Sequence, residues 1–174
     1  DHLDRHGDLA GYIAAKERIF RDQAAGDCAV MGIDDQPSRA VAERLQRAGR
    51  EITTVSLRGP AEVTVEDGRL REHGIEIRDL RPLANLRGRH NWQNIAAAYA
   101  ACRALDIAVE KIVAGIKSFP GLAHRQELIA TIDGVAYIND SKATNADATE
   151  KALACYLPIY WILGGRAKET GLDG

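Results

Sequence analysis

The chain has 174 residues, and its 23 Lys and Arg against 25 Asp and Glu give a formal net charge of −2. Hydrophobic residues make up 45% and charged residues 28%, which excludes an intrinsically disordered or collagen-like chain. This near-neutral net charge gives no sign of the basic surface with which proteins bind nucleic acid or an anionic membrane. Because no run approaches the ~18 apolar residues of a membrane span and the N-terminus is too polar for a signal peptide, we expect a cytoplasmic protein.

The cysteines Cys28, Cys102 and Cys155 lie far apart, each within an apolar run. Their odd number and wide spacing argue against a disulfide framework or a zinc site. We therefore expect small buried side chains in a reducing compartment.

The first part of the chain alternates helix and strand patterns. Leu9, Ile13 and Phe20 recur at helical spacing, and the apolar run CAVMGI after them predicts a buried strand. A turn with an N-cap then begins the helix SRAVAERLQRAG, which precedes the strand EITTVSL. Alternation in EVTV and RLRE around Asp67-Gly68 predicts a hairpin, and GIEIRDL predicts a further edge strand.

The second part restarts this pattern after an interruption. The helices NWQNIAAAYAACRAL and VEKIVAGIKSF end at Phe119-Pro120-Gly121, which predicts a domain boundary or hinge. ELIATI and VAYI then form predicted strands, NADATEKALACY a helix capped by Thr144 or Asn145, and IYWIL a strand. The alternation predicts an α/β fold with mostly parallel strands, whose ligands bind at the carboxyl ends of the strands.

Two residues near the start of the chain allow two interpretations each. Lys16 lies in the middle of the apolar stripe of its helix, where it either extends its ammonium to water or, when desolvated, acts as a nucleophile or takes up carbon dioxide as a metal-ligating carbamate. His2 lies between Asp1 and Asp4, a combination that suits magnesium or acid–base chemistry and equally a solvated terminus.

A polar cluster opens the alanine-rich helix. His90, Asn91 and Asn94 lie where free N–H groups and the helix dipole favour an anion or a polar ligand. Capping by Asn91 explains part of this cluster. Two amides one helical turn apart can also present donor and acceptor edges to a base such as adenine.

The last third of the chain holds five further candidates. Arg125 either forms an ordinary surface salt bridge or reaches a phosphate across the hinge. In NDSKATN, Asp140 can hold a ribose hydroxyl, and Lys142 and Thr144 can hold a carboxylate or phosphate at a helix N-terminus. Lys168, just beyond a Gly-Gly turn, is either a flexible surface residue or a ligand-binding one.

The segments AAKERIF, GRHNWQN, FPGLAHRQE, NDSKATN and ILGGRAK, in this order and at these separations, resemble the Mur ligases of bacterial peptidoglycan synthesis. NDSKATN with GLAHRQE is most similar to the branch that adds D-glutamate. The resemblance implies a cytoplasmic, monomeric enzyme that uses ATP and Mg²⁺. Its substrates would be UDP-N-acetylmuramoyl-L-alanine, activated as an acyl phosphate, and D-glutamate, whose amine attacks that acyl phosphate.

The resemblance implies roles in metal binding, phosphoryl transfer and D-glutamate binding. His2 and a carbamylated Lys16 would hold a magnesium ion, and Lys142 would lie close to the transferred phosphate. Thr144 and Lys168 would bind the carboxylates of D-glutamate.

The resemblance also implies a nucleotide site. His90, Asn91 and Asn94 would bind the adenine side of ATP, Arg125 its phosphates and Asp140 its ribose. No G-x-x-x-x-G-K-[ST] phosphate loop occurs in the chain, although such a loop would hold the ATP phosphates.

The resemblance divides the chain into two partial domains. Residues 1–119 would be the later portion of a central ATPase domain, and 120–174 the first portion of a C-terminal domain with a dinucleotide-binding-like (Rossmann-type) fold. We expect this chain alone to be inactive. The alternatives are another Mur ligase, a ligase of the folylpolyglutamate synthase type, or a non-catalytic nucleotide-binding module.

Overall fold

The computed structural model describes residues 3–165, with side chains from residue 5 onward. Its helices are α1 (Leu3–His6), α2 (Leu9–Glu17), α3 (Gln36–Arg47), α4 (Arg89–Ala104), α5 (Val109–Ser118) and α6 (Ala146–Leu153). Its strands are β1 (Cys28–Gly32), β2 (Glu51–Ser56), β3 (Val63–Glu66), β4 (Arg69–Glu72), β5 (Ile75–Asp79), β6 (Glu127–Ile132) and β7 (Val135–Asn139). No helix within the described range is both long and apolar enough to cross a bilayer.

The main sheet has the order β1-β2-β3-β4-β5 and mixes two strand directions. β1, β2 and β3 run parallel, whereas β3–β4 and β4–β5 are antiparallel pairs. The predicted hairpin at Asp67-Gly68 is confirmed as β3–β4, and the predicted edge strand as β5. The α/β class is therefore confirmed, with the parallel arrangement confined to the first three strands.

Helices cover both faces of this sheet, as the side-chain alternation of β1 shows. Ala29 and Met31 are buried in a cluster that contains Val41 of α3, whereas Val30 packs against the cluster around α4. Successive strand side chains point to opposite faces, so a continuous apolar strand serves two layers. The result is a three-layer α/β/α arrangement.

Helix α4 forms the centre of the larger core. Ala96 and Ala100 are at most 1% exposed, and Tyr99 between them is fully buried. The Tyr99 hydroxyl donates to the carboxylate of Glu72 on β4 (2.9 Å), which also accepts from Nε of Arg103 (3.0 Å). One carboxylate thus satisfies a buried hydroxyl and fixes α4 against the sheet.

The described residues after position 120 form no comparable core. The two predicted strands are present as β6 and β7, which pair as an antiparallel hairpin, and Asn145 caps α6 by accepting a hydrogen bond from the backbone N–H of Ala148 (2.8 Å). None of the described residues beyond 120 is buried, and Leu128, Ile129 and Tyr137 are more than half exposed. The expected domain division at residues 119 and 120 stays a prediction, as does the Rossmann-type character of the second portion.

The expected strand in IYWIL is wrong for this structure. Residues 157–164 form no strand, and Tyr160 and Ile162 are 95% and 96% exposed. A strand needs a neighbour to satisfy its backbone N–H and C=O groups, and this segment pairs with neither β6 nor β7. The strand propensity of IYWIL is therefore not enough to form a strand without a pairing partner.

Replacing Tyr99 with phenylalanine should lower the free energy of unfolding by about 1 kcal/mol at neutral pH, because Glu72 loses a buried donor. Burial and the hydrogen bond with Glu72 raise the pKa of Tyr99 to about 12. The unfolded hydroxyl ionises near pH ~10, so the advantage of the wild type over Tyr99→Phe should be full below that pH and vanish as pH rises toward 12.

Urea denaturation at pH 7 and at pH 11 measures this difference. The control is Tyr137→Phe, since Tyr137 is exposed on the hairpin and should give no pH-dependent difference. A Tyr99→Phe difference that stayed constant between the two pH values would contradict the assignment.

Candidate nucleotide-binding site

The first turn of α4 stands over the carboxyl ends of β1 and β2. Arg89 donates from Nη2 to the carbonyl of Leu57, just after β2 (3.1 Å). Gln93 donates from Nε2 to Oδ2 of Asp34, just after β1 (3.0 Å). This is the edge of a parallel sheet at which α/β proteins bind ligands.

Asp34 fixes the geometry of this edge. Its Oδ1 accepts hydrogen bonds from the hydroxyl of Ser56 (2.6 Å) and from the backbone N–H of Leu57 (3.0 Å), while its Oδ2 accepts the hydrogen bond from Gln93. The sequence analysis missed the role of Asp34 and Gln93. The signal for Asp34 was a polar residue at the carboxyl end of each of two neighbouring strands, Asp34 two residues after β1 and Ser56 at the end of β2, whereas Gln93 on α4 had no such signal.

The N-terminal residues of α4 differ from the expectation in one respect. The helix begins at Arg89 with Gly88 as its N-cap, so the expected capping by Asn91 is wrong. Asn91 is 9% exposed and donates from Nδ2 to the carbonyl of Arg87 (2.8 Å), whereas Asn94 is exposed. The two amides therefore lie in different surroundings, one buried and hydrogen-bonded and one facing solvent.

Gly88 brings the end of α6 close to α4. Its φ of +91° lies in the left-handed region, and a Cβ at this position would lie 2.5 Å from Sγ of Cys155. The neighbouring guanidinium of Arg87 lies 5.7 Å from the ring centroid of Tyr156. Only glycine combines this conformation with so close an approach.

A tight turn carries Arg125. Leu122 and Arg125 form an isolated bridge, and the backbone N–H of Arg125 donates to the carbonyl of Leu122 (3.1 Å). The carboxylate of Glu127 accepts from the backbone N–H of His124 (2.7 Å). The Arg125 side chain is exposed, so it is accessible to an anionic ligand.

A second loop, after β7, carries Asp140 and Lys142 and is bonded to that turn. Oδ1 of Asp140 accepts from the backbone N–H of Gln126 (3.1 Å), and the backbone N–H of Lys142 donates to the carbonyl of His124 (3.0 Å). The structure therefore brings together the predicted phosphate-binding arginine, ribose-binding aspartate and phosphate-proximal lysine. We call residues 122–126 with 139–143 the paired loops.

The paired loops meet α4 at His90. Nε2 of the Gln126 amide and Nε2 of the His90 imidazole are 3.0 Å apart. Burial is the main cause that lowers the pKa of His90; the nearby cations Lys151 and Arg125 add to the shift, and Asp140 opposes it. His90 is therefore close to the charged groups of the paired loops. Gln126, which the sequence analysis did not single out, makes this connection.

Of the remaining predicted site residues, Thr144 and Lys16 lie within the described range and two lie outside it. Thr144 is exposed just before the N-cap of α6. Lys16 is exposed on α2 with its ammonium 5.5 Å from the ring centroid of Tyr12, rather than desolvated in an apolar stripe. His2 and Lys168 lie outside the described residues. The part of the chain that the structure describes holds no group of three or more His, Cys, Asp and Glu arranged for a metal ion.

An open cleft of about 500 Å³ adjoins the start of α4. Trp92 and Leu83 line it together with Arg87, Gly88 and Cys155. It contains none of the residues that the sequence analysis proposed for ATP. The candidate nucleotide residues lie instead on the side of the paired loops.

Replacing Gly88 with alanine should separate α6 from α4, because the new methyl group collides with Cys155 and the left-handed backbone disfavours alanine. We expect a loss of about 1–3 kcal/mol in unfolding free energy and faster reaction of Cys155 with a thiol reagent. Gly115→Ala within α5 is the matched control, since its Cβ meets nothing within 4 Å and alanine favours the helix. Equal thiol reactivity in the two variants would contradict the close packing.

Comparisons with known proteins agree with this architecture. The family model described as the Mur ligase middle domain matches residues 1–102. The chain is 51% identical over 174 residues to the UDP-N-acetylmuramoylalanine–D-glutamate ligase of Paramagnetospirillum magneticum, covering 99% of this chain and 38% of that protein. It is 52% identical over 179 residues to the ligase of the same name from Rhodospirillum rubrum, with the same coverage. The chain thus spans 38% of the length of these relatives.

A solved structure supports the fold. MurF from Acinetobacter baumannii superposes with a TM-score of 0.70 at 21% identity, covering 88% of this chain and 34% of that one. At this identity the likeness concerns the fold alone. The middle-domain match covers more than half of the chain, and from it we conclude that the chain belongs to the Mur ligase family.

Proposed function

We propose that the full-length protein is an ATP-dependent ligase that adds D-glutamate to UDP-N-acetylmuramoyl-L-alanine in peptidoglycan synthesis. The names of relatives that are 51% and 52% identical support this substrate pair. The structural observation that carries the proposal is the meeting of the paired loops with the N-terminus of α4. That meeting brings Arg125 and Asp140 close to His90, and the backbone of Lys142 is bonded to the same turn.

The nucleotide would lie between these two elements. The first-turn N–H groups of α4 have no side-chain cap, so they suit a polar or anionic ligand. The Asp140 carboxylate would accept from the ribose hydroxyls, and the exposed Arg125 guanidinium would neutralise phosphate charge. Asn91 and Asn94 would lie toward the base.

The substrate carboxylate would take up the terminal phosphoryl group of ATP with release of ADP. The amine of D-glutamate would then attack the acyl carbon, lose a proton and displace phosphate. In this scheme Lys142 stabilises charge on the transferred group, and Thr144 with Lys168 holds the carboxylates of D-glutamate. Positioning and charge neutralisation, without a protein nucleophile, supply the catalysis.

Magnesium would be held by His2 and by a carbamate on Lys16. A bound Mg²⁺ ion neutralises phosphate charge and orients the phosphate oxygens. Lys16 is exposed rather than desolvated in this structure, so the resemblance of AAKERIF to the family supports the carbamate, and the surroundings of Lys16 do not. The carbamate would supply the carboxylate-like oxygens that Mg²⁺ prefers.

We further propose that residues 1–119 belong to the ATP-binding domain and residues 120–174 to the D-glutamate-binding domain. The larger core among the described residues lies wholly in the first range, which supports this division. We expect the full-length enzyme to be cytoplasmic and monomeric.

Phosphate release by the full-length protein tests the proposal. With ATP, Mg²⁺ and UDP-N-acetylmuramoyl-L-alanine, release should depend on D-glutamate. Equal release with L-alanine, or with L-glutamate and a folate acceptor, would overturn it. Tight ATP binding without ligation would instead favour a non-catalytic nucleotide-binding module.

Asp140→Asn should raise the KM for ATP about tenfold, because a charged acceptor for the ribose hydroxyls becomes neutral. The KM for D-glutamate should change little. Asp133→Asn in the β6–β7 turn is the matched control, since Asp133 is exposed and its left-handed backbone (φ 51°) tolerates asparagine. If the two variants had the same KM for ATP, Asp140 would have no role in nucleotide binding.

A further inference from the structure

We propose that Gln126 is a positioning residue that joins the two halves of the nucleotide site, the α4 N-terminus and the paired loops. This inference rests on the proposed binding of ATP between them. It assigns Gln126 no contact with the nucleotide; the residue acts through His90 and Asp140.

The first connection of Gln126 is to the ribose side. Its backbone N–H donates to Oδ1 of Asp140 (3.1 Å), a charge-assisted hydrogen bond that orients the carboxylate. The carbonyl of His124, two residues earlier, accepts from the backbone N–H of Lys142 (3.0 Å). The turn and the loop after β7 therefore move as one unit, and Gln126 belongs to that unit.

The second connection is to the adenine side. The Gln126 amide nitrogen lies 3.0 Å from Nε2 of His90, in the first turn of α4. The amide N–H donates to Nε2 when the imidazole is neutral with its proton on Nδ1. Burial lowers the pKa of His90 and so favours this neutral form. The positive charges of Lys151 and Arg125 lower the pKa further, whereas the negative charge of Asp140 raises it.

A hydrogen bond constrains this junction more strictly than its other described contacts do. Cys155 packs against Gly88, and Arg87 lies over the Tyr156 ring at 5.7 Å. Such packing and cation–π contacts tolerate sliding and tilting, whereas a hydrogen bond weakens steeply away from its preferred distance and angle. The Gln126 side chain, hydrogen-bonded to His90 and also to Cys155 just after α6, therefore helps to set the separation of the two halves.

Gln126 holds this position at an energetic cost. Its φ of +46° lies in the left-handed region, which glutamine disfavours, and Oε1 of its amide is buried without a partner among the described residues. This backbone directs the N–H toward Asp140 and the side chain toward His90 from a single residue. An unfavourable backbone conformation and an unpaired amide oxygen are both expected where a binding site requires Gln126 to keep this orientation.

Gln126→Asn in the full-length protein tests the inference. Asparagine keeps the amide and suits a left-handed backbone better than glutamine, so the variant should fold at least as stably. Its side chain is one methylene shorter and does not reach His90. We expect the KM for ATP to rise about fivefold to tenfold, while kcat and the KM for D-glutamate stay within about twofold of wild type.

Gln23→Asn is the matched control. Gln23 also bridges two segments through its amide, to the carbonyls of Asp27 and Glu51, and its Oε1 is likewise buried without a described partner. Those carbonyls lie at the amino ends of β1 and β2, the opposite edge of the sheet from the nucleotide site. Its KM for ATP should equal that of the wild type.

Two further measurements keep the inference distinct from the proposed function. Calorimetric titration with ADP should show the same fivefold to tenfold weakening for Gln126→Asn, and this weakening should disappear in a His90→Ala background, where the link is already absent. Equal ADP affinity in Gln126→Asn and Gln23→Asn, or an undiminished effect without His90, would overturn the positioning role. A wild-type enzyme without D-glutamate-dependent phosphate release would overturn the proposed function instead.

Discussion

The packing of α4 against the sheet is the constraint on which the candidate site depends. Ala96 and Ala100 let the helix backbone approach the strands closely, and Tyr99 fills the remaining space while Glu72 satisfies its hydroxyl. Because these contacts hold the middle of the helix, its first turn needs no side-chain cap for stability. Because no side chain caps this first turn, its backbone N–H groups can serve a ligand.

The attachment of the second portion has a different physical character. The core around α4 is apolar and continuous. The described contacts of the later residues with the start of α4 and the residues just before it include a Gln126–His90 hydrogen bond, Cys155 against Gly88 and Arg87 over the Tyr156 ring. Such contacts bury little apolar surface, so they hold the later residues less firmly than the core holds α4. A nucleotide held between Asp140 and the first turn of α4 would add contacts to both sides and stabilise their approach.

Periodicity and turn residues in the sequence predict most of the fold, but the site only in part. The alternation around Asp67-Gly68 and the apolar run at residues 28–32 are local signals, and both elements form where expected. The strand expected in IYWIL is wrong because a strand depends on a neighbour that local sequence does not reveal. The charged side chains of Arg125, Asp140 and Lys142 made them candidates from the sequence. Gln126, which is hydrogen-bonded to Asp140, has no charge and was not a candidate. Its role depends on a left-handed backbone and on His90, 36 residues away in sequence.

The charges around His90 connect its protonation to ligand binding. Lys151 and Arg125 both oppose protonation of the imidazole, so a phosphate that neutralised them would favour the protonated form. The imidazole would then donate at Nε2 rather than accept. A glutamine amide carries both a donor and an acceptor. Rotating the Gln126 amide group by about 180° would exchange its nitrogen and oxygen, so that Oε1 would accept the proton from His90. Gln126 can therefore keep the two halves of the site joined in either protonation state of His90, which a purely accepting or purely donating side chain could not do.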